Sequence, residues 1–221
     1  MTTRLACGLF LSLAVTLSGC SLISNPGVPG SGVSKTELRD VETFEEIELK
    51  GAGSVEVTFG DEQSLELTTD DNLLELIETK VEGGKLVIKP TEAIDPTISL
   101  KVKINLSKLT SVRIRGAGTL DIDGIQGEKL DLSVDGAGTI KGTGSVKDLK
   151  VDISGAGSAK LAELKAENVE IELSGAGSAN VFASKSFDGN VSGVGKIDCQ
   201  GNPEDVKKNV SGIGRIEIGD K

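Results

Sequence analysis

The sequence predicts an all-β protein, a parallel β-solenoid, and three observations carry that prediction. A short phrase returns at almost constant spacing. Apolar and polar residues alternate on either side of it, and the composition suits a core of small stacked side chains. The phrase is Gly-Ala-Gly followed by Ser or Thr, at Gly51 to Gly53, Gly116 to Gly118, Gly136 to Gly138, Gly155 to Gly157 and Gly175 to Gly177. Two looser copies follow, Gly193-Val194-Gly195 and Gly212-Ile213-Gly214. From Gly116 onward the first glycines stand 20, 19, 20, 18 and 19 residues apart. A repeat of that length marks an array in which each unit buries its apolar face only against its neighbours.

Each unit reads as two short strands meeting at a corner. Leu130, Leu132 and Val134 precede Gly136 in alternation, as Leu149, Val151 and Ile153 precede Gly155. A strand with one buried face has this period. Apolar residues resume after the phrase, at Leu120 and Ile122, at Ile140, and at Ile197 and Cys199. The rhythm breaks at the phrase itself, where glycine permits a bend through positive φ or the close approach of a second backbone. The middle residue is always Ala, Val or Ile and is expected to point inward, filling the corner; Val194 and Ile213 would fill it with larger groups. A third segment, carrying residues such as Ile125, Val146 and Leu164, closes each turn. Turns of 18–20 residues are too short for a strand–helix unit with ordinary loops, and parallel crossovers set the expected hand as right-handed.

Residues 1–19 are expected to be a signal peptide. Arg4 is their one charge, and the 13 residues from Leu5 to Leu17 are apolar or small, short for a membrane-spanning helix and suited to a signal core. Leu17-Ser18-Gly19-Cys20 resembles a bacterial lipobox, which implies cleavage before Cys20 and acylation of its thiol. An ordinary secretory signal with an incidental cysteine is the alternative. Ser21, in place of Asp, would imply outer-membrane sorting in a Gram-negative cell. Residues 20–37, rich in Ser, Gly and Pro, read as a flexible tether.

Residues 38–105 are expected to be the strand-rich N-terminal part of the solenoid domain, a cap over an otherwise open first turn. Ile47 and Leu49, then Val55, Val57 and Phe59, then Leu65 and Leu67 alternate. Leu73, Leu74 and Ile77 have helical spacing after Asp70-Asp71-Asn72, which predicts one short helix with Thr69 or an Asp as N-cap. Gly83-Gly84 predicts a hairpin, and Ile98 to Leu106 an alternating strand leading into the array, which spans 106–219.

The chain has no His, which removes Ser-His-Asp and Cys-His nucleophile systems and His-based metal sites. Cys7 would leave with the signal. Cys199 shares a core column with Val181 and Ile218, the setting of a buried structural thiol. Asp121-Ile122-Asp123 resembles a calcium-binding turn, but the equivalent places hold Lys141-Gly142-Thr143, Lys160-Leu161-Ala162 and Asn180-Val181-Phe182, so the ligands do not repeat. No catalytic residue, metal ligand or cofactor is expected. Loss of Arg4 with the signal would take the formal charge of −10 to about −11, and an acidic surface without Trp or Tyr argues against nucleic acid and against docking on anionic lipid.

The outward positions carry the candidate recognition residues. Arg115, Asp135, Ser154, Ser174, Ser192 and Ser211 stand one residue before a phrase; Arg113, Ser133, Asp152, Glu172, Asn190 and Asn209 stand three before. Stacked turns would align them as exposed ladders, with Asn190 over Asn209 and Ser192 over Ser211. Such ladders either stabilise the stacking or form a flat polar recognition face.

Phe44-x-x-Ile47-x-Leu49 running into Gly51-Ala52-Gly53, the Asp-rich entry to a short helix, the hairpin around Gly83-Gly84-Lys85-Leu86-Val87-Ile88 and the serial Gly-Ala-Gly turns can be taken together. They resemble the bacterial family described as putative auto-transporter adhesin, head GIN domain, over Val41 to Gly219. The resemblance implies secreted or lipid-anchored β-solenoids and supplies no catalytic residues; fold analogy does not establish function. Lipobox, tether and repetitive face lead to the expectation of a non-enzymatic cell-envelope lipoprotein. It would be held to the membrane through lipid on Cys20, with the solenoid as a binding or adhesion module for a protein or glycan. An enzyme acting on envelope polysaccharide and a structural envelope spacer are the alternatives.

Overall fold

A computed structural model of the chain describes residues 27–219, so the expected signal peptide and Cys20 lie outside the described residues. The fold is all-β, with a mixed sheet of eight strands that does not close into a barrel and a separate pair of two short strands. Its hub is a strand of 14 residues, β3 (Glu46–Phe59), which contains the first Gly-Ala-Gly phrase. Before it come β1 (Val28–Pro29) and β2 (Ser34–Arg39). After it come β4 (Ser64–Asp70), β5 (Ile77–Glu82), β6 (Lys85–Pro90), β7 (Ile94–Asp95), β8 (Lys101–Leu106), β9 (Ser111–Gln200) and β10 (Asp205–Ile218).

One edge of β3 faces the repeats. It pairs in parallel with the start of β9, in a register that places Gly51, Ala52 and Gly53 beside Gly116, Ala117 and Gly118. The other edge pairs in parallel with β6 and β8. β8 then pairs antiparallel with β4, and β4 with β2. The strands before the array thus cover its first turn and leave the repeats to continue in the other direction.

β9 is continuous strand over 90 residues, far beyond a usual strand length, and the glycines of its successive phrases come close together. A Cβ on Gly136 would run into the carbonyl of Gly116; Gly155 stands in the same way against Gly136, Gly175 against Gly155 and Gly193 against Gly175. β10 continues the stack, pairing in parallel with β9 from Asp205↔Ser186 to Ile218↔Cys199. The alternating residues form one core cluster from Phe44 to Cys199, and Ile125, Val146 and Leu164 of the closing segments belong to it.

The structure corrects three expectations. Ala117, Ala137, Ala156 and Ala176 are exposed, and Val194 and Ile213 are 58% and 81% exposed, so the middle residue points outward and does not fill the corner. Alternation accounts for this: it runs unbroken from buried Ile153 to buried Ala159, which sets Ala156 on the outer face, while Gly155 holds φ +116 within it. The second correction concerns the tether. From residue 27 its chain is held by the domain, with β1 paired to β7 and β2 to β4. The third is the short helix, a 3₁₀ turn of three residues (Leu74–Leu76) after Leu73, with no side-chain cap. Thr69 donates instead to the Ile98 carbonyl at 2.7 Å, and Asp70 accepts from the amides of Gly32 and Ile98. Both side chains are buried, so partners across the fold claim them in place of the turn. The Gly83-Gly84 hairpin forms as expected, with φ of +59° and +80°, the turn geometry that glycine favours.

A candidate recognition face

The strands that lead into each phrase present alternate side chains outward, and parallel pairing lines up equivalent residues of successive turns. Asn209 lies beside Asn190 and Ser211 beside Ser192. The Asn209 Nδ2 donates to Asn190 Oδ1 at 3.2 Å. The two amides are thus bonded to each other, and the two serines lie in adjacent register. Towards the start of the array the same columns are charged: Arg115 reaches Glu48 at 3.2 Å and Asp135 at 3.5 Å. The face changes along its length from ion-paired to neutral.

Beside the ladder the same strands line a groove of about 510 Å³, whose rim includes Asp148, Lys150, Asn168, Glu170, Ser186 and Lys207. Side chains run across it from turn to turn: Ser186 Oγ donates to Asn168 Oδ1 at 2.8 Å, and Asn168 Nδ2 to Asp148 Oδ1 at 2.7 Å. Lys150 pairs with Glu170 in the neighbouring column. Sequence reasoning missed this groove by stopping at the positions one and three before the phrase. The residues five and seven before it carry the same signal, a polar type at each turn from the Gly136 phrase onward. One step further out, Lys147 pairs with Glu128 at 3.7 Å and Lys185 with Glu167 at 2.6 Å, a column of alternating charge.

Other candidates are engaged in the structure. Asp123 Oδ1 accepts from Thr143 Oγ1 at 2.9 Å, so this carboxylate braces two turns. Cys199 is buried, and burial pushes its thiol up to about 11, away from the thiolate needed for reaction. Among the described residues no group of three or more His, Cys, Asp or Glu is placed to hold a metal ion. Among them no helix is long and apolar enough to cross a membrane.

Fold and face define a class: an all-β protein with a polar face on which equivalent residues of parallel-paired strands lie side by side. The chain belongs to the family described as "Putative auto-transporter adhesin, head GIN domain", whose model matches residues 43–203. Among solved structures, it is similar to a putative adhesin from Bacteroides fragilis, with 22% identity and a TM-score of 0.70 over 87% of this chain and 100% of that one. A putative lipid binding protein from Parabacteroides distasonis matches with 22% identity and a TM-score of 0.54, over 87% of this chain and 99% of that one. A putative adhesin from the same species matches at 21% identity and a TM-score of 0.50, with the same two coverages. At these identities the likeness is one of fold. No curated protein matches the chain.

Proposed function

We propose that the chain is a right-handed parallel β-solenoid serving as a non-enzymatic binding or adhesion module of the cell envelope, anchored by lipid on Cys20. In a Gram-negative cell that anchor would lie in the outer membrane. The observation that carries this reading is the outward ladder, where Asn190 and Asn209 pair directly beside a polar groove. A repeated array of amide and hydroxyl groups suits a repetitive polar partner, a glycan or an extended protein segment. Turns that pair as strands repeat these groups about every 4.8 Å. The family description and the two adhesin structures support an adhesive role; the lipid-binding likeness supports binding without naming the ligand.

The test is a screen of the full chain against glycan and matrix-protein arrays, repeated with Asn190→Asp and Asn209→Asp together. Binding lost in the double variant, at an unchanged melting temperature, supports recognition by the ladder. Turnover of any polysaccharide would sink the non-enzymatic reading. A structural spacer is the second reading, favoured by the side-chain bonds that already satisfy Asp148, Asn168 and Ser186 within the stack. It predicts no ligand on either array and a lowered melting temperature in the double variant.

A further inference from the structure

Among the described residues nothing covers the last turn of the stack. Among those residues β10 pairs with β9 alone, so its far edge offers unpaired N–H and C=O groups to a passing strand. Its register shows which side chains face the interior: Val206 beside Phe187, Lys208 beside Gly189, Val210 beside Val191, Ile216 beside Ile197 and Ile218 beside Cys199. The five β9 partners are buried, and paired residues of parallel strands send their side chains to the same face. Four of the five inward positions of β10 are aliphatic. The fifth is lysine, in the column that Leu132, Val151 and Ile171 occupy in earlier turns.

The surroundings of Lys208 agree with an inward placement. Lys208 is exposed at the open end, and its charge is among the influences that oppose the rise which burial causes in the Cys199 thiol. Beneath it the ring of Phe187 fills the space that a side chain on Gly189 would need. Val206 and Val210, on either side, are each 41% exposed. An aliphatic residue at 208 would complete an apolar end surface of the kind that every earlier turn accepts from its successor.

The opposite end of the stack is not a match for this one. The strand order ends there in β2, which has six residues against the 14 of β10. Two copies could cover the open turns only tail to tail, β10 antiparallel to β10 across a two-fold axis, and such a contact closes at two chains.

We propose that Lys208 guards the open end of the stack, keeping the chain from pairing through β10 with a second copy. Covering the end would bury two ammonium groups against apolar walls, the device by which natural sheets block edge-to-edge association. This guard depends on the stacked turns and not on what the outer face binds.

Sedimentation equilibrium of the full chain in density-matched detergent tests it, with wild type, Lys208→Ile and Lys208→Ile with Val210→Lys measured side by side. Wild type is expected to sediment as one chain. Lys208→Ile is expected as two chains at concentrations at least about tenfold below any self-association of wild type, a change of about 1.4 kcal/mol or more. Its melting temperature should not fall. The double variant restores an inward charge on the same edge and should return to one chain. A dimeric wild type, a monomeric or less stable Lys208→Ile, a mass beyond two chains, or a dimer that survives Val210→Lys would each overturn the proposal.

Discussion

Gly155 stands at φ +116, and a side chain there would be driven into the carbonyl of Gly136 in the turn beneath. Strain and collision act together, so Gly155→Ala is expected to cost about 3 kcal/mol. Its neighbour behaves differently. Ala156 is exposed, so Ala156→Leu should stay within about 0.5 kcal/mol of wild type. Urea unfolding of the two variants checks the contrast, and similar losses in both would contradict the outward orientation of the middle residue. Cys199 makes a second residue-scale case. With its thiol pushed up to about 11, it should resist a disulfide-exchange reagent at about pH 8 until the chain unfolds. Rapid modification mapped to Cys199 in the folded protein would refute this. The glycine positions were legible in sequence because few other residues tolerate such corners. The direction of the alanine is misread when the phrase is taken to break an alternation that in fact runs through it, from buried Ile153 to buried Ala159.

The arm formed by β1 and β2 shows what is decided at the scale of the element. Its Ser, Gly and Pro content describes a chain without a core of its own, yet it is ordered by residues far along the sequence. Asn72 Nδ2 donates to the Pro29 carbonyl at 2.9 Å. Asp70 accepts from the Gly32 amide at 2.7 Å and the Ile98 amide at 2.9 Å. Burial pushes the Asp70 carboxyl up, but the amides of Ile98, Gly32 and Thr97 outweigh it and hold the group below its ordinary value. A pKa depressed in the folded state adds stability above the unfolded value, lost as pH falls through the folded one. Melting temperature should therefore fall more steeply below about pH 4 in wild type than in Asp70→Asn. Parallel acid profiles would show that the carboxylate does not secure the arm. The hairpin at Gly83-Gly84 was readable because its signal is local. The arm was not, because composition reports what a segment can do alone and carries no information on a distant acceptor.

For the whole molecule, attachment and folding are separate questions. Cys20→Ala is expected to release the chain from membranes into the soluble fraction, because one residue would carry the lipid and stable anchoring depends on acyl chains. Retention after washing would exclude the lipid anchor. The sequence by itself determined the all-β class, the buried columns and the register that sets Asn190 beside Asn209. These follow from a repeat: when each turn packs only on its neighbours, equivalent positions in the sequence become adjacent positions in space. Tertiary structure decided the groove beside the ladder and the docking of the arm. Each depends on the direction of a bond vector or on a partner many residues away, and neither is encoded in the local period.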